Sequence, residues 1–106
     1  VSTQLSSAAV LLERVILCTQ TRQDARALLH ERVVLERLDG EVLRGRDVVA
    51  EAISTRDADS TLSVIEHDGD DGVRVRLQLH AMGGELRFVI RAVAEHGVIL
   101  AIVMEP

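Results

Sequence analysis

Residues 28–53, LLHERVVLERLDGEVLRGRDVVAEAI, change their hydrophobic period twice, and the change sets the architecture. Over residues 31–38 the side chains alternate: Val33 and Leu35 fall on one face, and Val34, Glu36 and Leu38 on the other. This is the period of a strand. Asp39-Gly40 supplies a turn, a short extended piece follows, and Gly45 precedes Val48, Val49, Ala52 and Ile53 at the spacing of an amphipathic helix. Glu36 is the residue in question. A carboxylate on a largely apolar strand is paired, turned outward or kept for chemistry, and Arg32, Arg37, Arg87 and Arg91 are the plausible pairing partners.

Outward from this stretch the two halves of the chain differ in kind. On the N-terminal side, Leu5, Ala8, Ala9, Leu12, Val15 and Ile16 recur at spacings of three and four, predicting a first helix over 5–18. Thr21 with Asp24 three residues on resembles a capping box. A short second helix is therefore expected, with Ala25, Leu28 and Leu29 as its buried side. On the C-terminal side STRDADS ends the third helix. Four β-rich runs then follow, at 61–67, 73–81, 85–95 and 98–104, separated by DGDDG, MGG and HG. Short glycine turns between successive strands predict an antiparallel meander. The fold class is α+β: about three N-terminal helices against a curved antiparallel sheet, in one domain spanning 1–106.

Val73, Val75, Leu77 and Leu79 alternate with Arg74, Arg76, Gln78 and His80, so that strand shows one face to the core and the other to water or a polar partner. Residues 98–104 are apolar throughout, so both faces need cover. Helices supply one cover, and a second copy of the chain is the expected other: a homodimer through the sheet. Arg87 and Arg91 share a face with Val89 and Val93, while Leu86, Phe88 and Ile90 share the opposite one. If the arginine face is interior it meets a ligand carboxylate or Glu36; if exterior, it is solvated or interfacial.

Composition narrows the functional classes. Hydrophobic residues form 47% of the 106, yet Phe88 is the only aromatic, so a cavity here has aliphatic walls and base- or sugar-stacking platforms are disfavoured. The net charge is −5, and all 12 basic residues are Arg; no nucleic acid partner is expected. Cys18 stands alone in an apolar helical run, which excludes an intramolecular disulfide, predicts a buried thiol and suits a reducing cytoplasm. No signal-peptide pattern or membrane-spanning apolar run occurs, so no membrane association is expected.

His30, His67, His80 and His96 lack metal-ligand spacing, and HDGDDG lacks the twelve-residue calcium loop with its terminal Glu. No G-x-S-x-G element or glycine-rich phosphate loop is present either, so neither metal nor cofactor is expected.

The order of two helices, a strand bearing an acid, GEVLRGRDVVAEAI and a long meander resembles the nuclear transport factor 2-like superfamily, which includes ketosteroid isomerases and SnoaL-like polyketide cyclases. The resemblance covers nearly the whole chain and rests most on the extended segment, Gly45 and the apolar helix face after it. It implies a cystatin-like cone, a curved sheet wrapped around helices, with an apolar pocket at one end. Ketosteroid isomerases carry their general base on the first strand, several residues before the glycine–helix junction, and Glu36 stands at about that place relative to Gly45. The resemblance thus implies that Glu36 enters the cone with Val34 and Leu38, its pKa raised by burial, as a proton acceptor.

An isomerase oxyanion hole made by Tyr and a protonated Asp has no counterpart. The chain contains no Tyr, and the expected Asp position falls among Phe88, Ile90 and Ala92. The expected function is a small apolar-molecule binder or enzyme like the SnoaL-like cyclases and isomerases, with Glu36 as base and Val34, Leu38, Phe88 and Ile90 as pocket walls. The alternative is a non-catalytic homodimeric accessory module whose pocket is closed by its own side chains.

Overall fold

In the computed structural model, residues 8–54, 60–81 and 83–106 are described. Their order is helix α1 (Ala8–Thr21), a 3-10 turn (Arg26–Leu28), β1 (Leu29–Glu36), β2 (Val42–Arg44), α2 (Arg46–Ser54), β3 (Ser60–His67), β4 (Gly72–Leu79), β5 (Gly84–Glu95) and β6 (Val98–Glu105). The strands form one six-stranded curved sheet in the order β2-β1-β6-β5-β4-β3. The expected meander is present, since β3–β4, β4–β5 and β5–β6 all pair antiparallel. The expectation of a wholly antiparallel sheet is corrected by β1, which pairs with β6 in parallel. β1 lies between β2, its antiparallel neighbour, and the last strand, its parallel one, so the sheet is mixed.

The second helix is also corrected: only the single 3-10 turn forms between α1 and β1. The capping-box reading of Thr21 and Asp24 fails because α1 runs through Thr21, whose hydroxyl donates back to the Leu17 carbonyl at 2.8 Å. Arg22 then takes a left-handed φ of 58°, and the Gln23 N–H donates to the Cys18 carbonyl at 2.8 Å. That is the closure of a helix C-terminus, not the start of a new helix. Asp24 instead accepts from the backbone N–H of Arg26 at 3.0 Å, and this bond holds its carboxyl below the usual range. Cys18 is half-buried rather than buried.

The core lies between α1 and the concave face of the sheet. Leu11, Leu12, Val15 and Ile16 of α1 pack with Val73 and Val75 of β4, Phe88 and Ile90 of β5, and Ile99 and Ile102 of β6, while Val49 and Ala50 of α2 cover β1 with its Val33 and Leu35, all of them buried. The alternation expected in 73–79 is borne out, with the valines inside and Arg74 exposed.

Gly45 joins strand to helix. Its N–H donates to the Val33 carbonyl at 2.8 Å, and its carbonyl accepts the first helical bond, from Val49 at 3.0 Å. With φ at 98°, this junction needs glycine.

The β5–β6 hairpin turns on His96 and Gly97, with φ of 54° and 80°, the two positive values of a type I′ turn. Gly97→Val is expected to destabilise the fold by about 1–3 kcal/mol, because a β-branched residue is strained there. A urea unfolding curve checks this, and an unchanged midpoint would contradict it.

Candidate functional site

The inner face of β1 decides what the site contains. Val33 and Leu35 are buried inside the cone, so Val34 and Glu36 point to the outside. Glu36 is exposed, in register with Val42 of β2 and Val103 of β6, and forms no ion pair with a described residue. The expectation that Glu36 and Val34 enter the cone is therefore corrected: both sit on the opposite face of the sheet. The reason is parity. A strand alternates every residue, so the face that takes Leu35 inside passes next to Arg37, not Glu36.

Beneath α1 lies a partly enclosed apolar cavity of about 170 Å³. Leu12, Val15, Ile16 and Thr19 of α1 form its roof; Ala52 and Ile53 of α2 close one side; Leu35, Leu62, Ile90, Ile102 and Met104 of the sheet make the floor. Thr19 donates its hydroxyl hydrogen to the Val15 carbonyl at 3.1 Å, so only lone pairs remain for a ligand. Arg37 completes the lining as its one ionisable side chain among the described residues.

An outer groove of about 340 Å³ adjoins the cavity and shares Arg37, Leu62 and Met104 with it. Leu38, Asp39, Ser60, Leu77 and Phe88 form its other walls. The two lobes therefore meet at Arg37. Of the expected pocket walls, Ile90 lies in the cavity, Leu38 and Phe88 lie in the groove, and Val34 lies in neither.

The β1–β2 turn holds Arg37 in place. Its backbone N–H donates to the Glu41 carbonyl at 2.8 Å, and its carbonyl accepts from the Gly40 N–H at 3.0 Å. Its Nη1 donates to Glu41 Oε1 at 3.1 Å. Asp39 Oδ1 accepts from the Glu41 N–H at 2.9 Å, which ties that carboxylate to its own turn. Arg37 was legible as an inner-face residue only by extending the Val33–Leu35 parity past the strand end.

The arginine face of β5 is exterior, the second of the two alternatives. Arg91 gathers Glu105 through Nε at 2.9 Å, Asp71 through Nη1 at 3.0 Å and Asp68 through Nη2 at 3.0 Å. The hydrogen bond to Glu105, then the nearby acids, push its already high pKa further up. The acidic turn of HDGDDG is thus fastened to β5 by one guanidinium.

No group of His, Cys, Asp and Glu among the described residues could hold a metal ion. No described helix is long and apolar enough to cross a membrane.

The architecture is that of the NTF2-like cone, the fold of ketosteroid isomerase-like and SnoaL-like proteins. Among solved structures it is similar to an NTF2-like protein of unknown function from Mesorhizobium loti, at 21% identity and a TM-score of 0.79, covering 98% of this chain and 95% of that one. A candidate ketosteroid isomerase from Kribbella flavida is similar at 21% identity and a TM-score of 0.76, with 93% and 77% covered. A candidate polyketide cyclase from Pseudomonas putida follows at 16% identity and a TM-score of 0.68, with 94% and 91% covered. No protein-family model and no curated protein matches the chain. At these identities the shared property is the fold.

Proposed function

We propose that this protein binds a small apolar molecule, or the apolar part of one, in the cavity under α1. The observation that carries this reading is a 170 Å³ aliphatic space left open in a core of otherwise buried side chains. An aliphatic cavity of about 150 Å³ stays dry and takes up benzene, so this one matches a six- to eight-carbon group. The reading is one of binding rather than proton abstraction, because Arg37 is a cation and the Glu36 carboxylate is on the other face of the sheet.

Neutral benzene-sized compounds are expected to raise the melting temperature. At ten times the dissociation constant a ligand adds about 1.4 kcal/mol, roughly 6 °C for a domain of this size. Ala52→Leu, which fills the cavity from α2, is expected to abolish that shift without loss of fold. Glu36→Gln is expected to leave it within about 0.5 kcal/mol of the parent. A panel of such compounds that moved neither protein would sink the reading.

A second copy of the chain is proposed to cover the outer face of the sheet. Val34, Ala101 and Val93 lie side by side on β1, β6 and β5 in one row, and Val42, Glu36, Val103 and Arg91 follow in the next. Val93 is 59% exposed and Val42 is 42% exposed. This apolar stripe has Glu36 and Arg44 on its β1–β2 side, and on its other side Arg74, Arg76 and Arg87 paired with Glu66 and Glu85. A two-fold axis over β6 sets the apolar stripe of one copy on that of the other.

A further inference from the structure

We propose that the ligand is a monocarboxylate, an aryl or short alkyl acid whose apolar end fills the cavity and whose carboxylate is taken by Arg37. This rests on the binding reading above and names the class of molecule that binding selects.

Two observations carry it. The first is position: Arg37 lines both lobes and is the one cationic side chain in either, so a molecule that reaches from the aliphatic cavity toward the outer groove passes it. The second is vacancy on that guanidinium. Nη1 is engaged by Glu41, whereas Nε and Nη2 donate to no described residue. A guanidinium edge of two parallel N–H groups fits a carboxylate in bidentate fashion, with geometry as well as charge.

The neighbouring carboxylates set the terms of binding. Asp39 is bound to the Glu41 N–H, and Glu41 competes directly for Arg37. The Arg37 and Glu41 side chains are 41% and 51% exposed, so their pairing is weak and yields to a ligand whose apolar end is already anchored. A single cation beside an aliphatic chamber also selects against dianions, for which it offers no second charge. The chamber volume selects against rings much larger than one phenyl group.

The test uses a matched pair, phenylacetate and 2-phenylethanol, titrated at neutral pH by calorimetry into the parent protein and into Arg37→Gln, Glu41→Gln and Ala52→Leu. Phenylacetate is expected to bind about tenfold tighter than the alcohol to the parent, the effect of a charge-assisted bidentate pair at a half-exposed site. Arg37→Gln is expected to erase that difference, the acid falling to the affinity of the alcohol. Glu41→Gln, which removes the competitor, is expected to widen it several-fold, about threefold or more. Ala52→Leu is expected to lose both compounds.

Equal binding of acid and alcohol to the parent, unchanged in Arg37→Gln, would overturn the carboxylate proposal and leave the apolar-binding reading standing. Failure of both compounds to bind the parent would overturn the two together.

Discussion

Phe88→Ala is expected to lower the unfolding free energy by about 3–5 kcal/mol, the range for deleting a buried ring. Phe88 is 6% exposed on the concave face of β5, opposite Val75 of β4, and it walls the outer groove beside Leu77 and Met104. It is the only aromatic in the chain, and Val75 opposite it is too short to fill the space. The void therefore stays open, and its unrelaxed surface adds to the lost transfer energy. Domains of this size are stable by about 5–15 kcal/mol, so the variant is left close to its folding threshold. Its melting temperature should fall by roughly 10 °C or more.

Phe88→Leu keeps most of the volume and is expected to cost only about 1–2 kcal/mol. Urea unfolding of the two variants side by side checks both figures, and equal losses would mean that the ring is not packed as described.

Val103→Glu is expected to turn the proposed dimer into a monomer. Val103 sits mid-row on the outer face of β6, between Glu36 of β1 and Arg91 of β5, at the centre of the stripe proposed to meet its own copy. A carboxylate placed there would be buried at the interface beside Glu36, and Arg91 already serves three acids. An uncompensated charge in a closed interface costs several kcal/mol, about a hundredfold or more in the dimer dissociation constant. In the isolated chain the position is only half-buried, so the monomer keeps its fold. Sedimentation velocity reads the result directly as a halving of the mass. A parent protein that sediments as a monomer at high concentration would remove the interface proposal altogether.

These two positions, one on each face of the sheet, show how far the residues could be read in advance. The alternation of β4 was legible because only one of its faces is apolar, whereas on β5, where Val89 and Val93 share the arginine face, the sequence pointed to Phe88 and Ile90 as pocket walls but left the interior side open. The Gly45 junction was legible because a glycine between an extended piece and an amphipathic run has few other uses. β1 was different. It offers Val33 and Leu35 on one side and Val34 and Leu38 on the other, so each face is apolar enough to be the interior. The resemblance to an isomerase then favoured the side that carried an acid.

The same contrast separates what each level of structure determined. The sequence by itself determined the α+β class, the boundaries of most elements, the antiparallel meander, and which residues of each strand travel together. All of these follow from local period and turn chemistry. The tertiary structure alone decided that β1 lies parallel to β6, that the chain after α1 closes off that helix instead of starting another, and which face of β1 looks inward. The last of these decides the site. A period of two fixes the alternation but not its sign, and the sign was set by α2 packing onto β1, with Val49 and Ala50 buried in the same core as Val33 and Leu35. That packing puts the arginine at position 37 at the cavity and leaves the glutamate at position 36 outside.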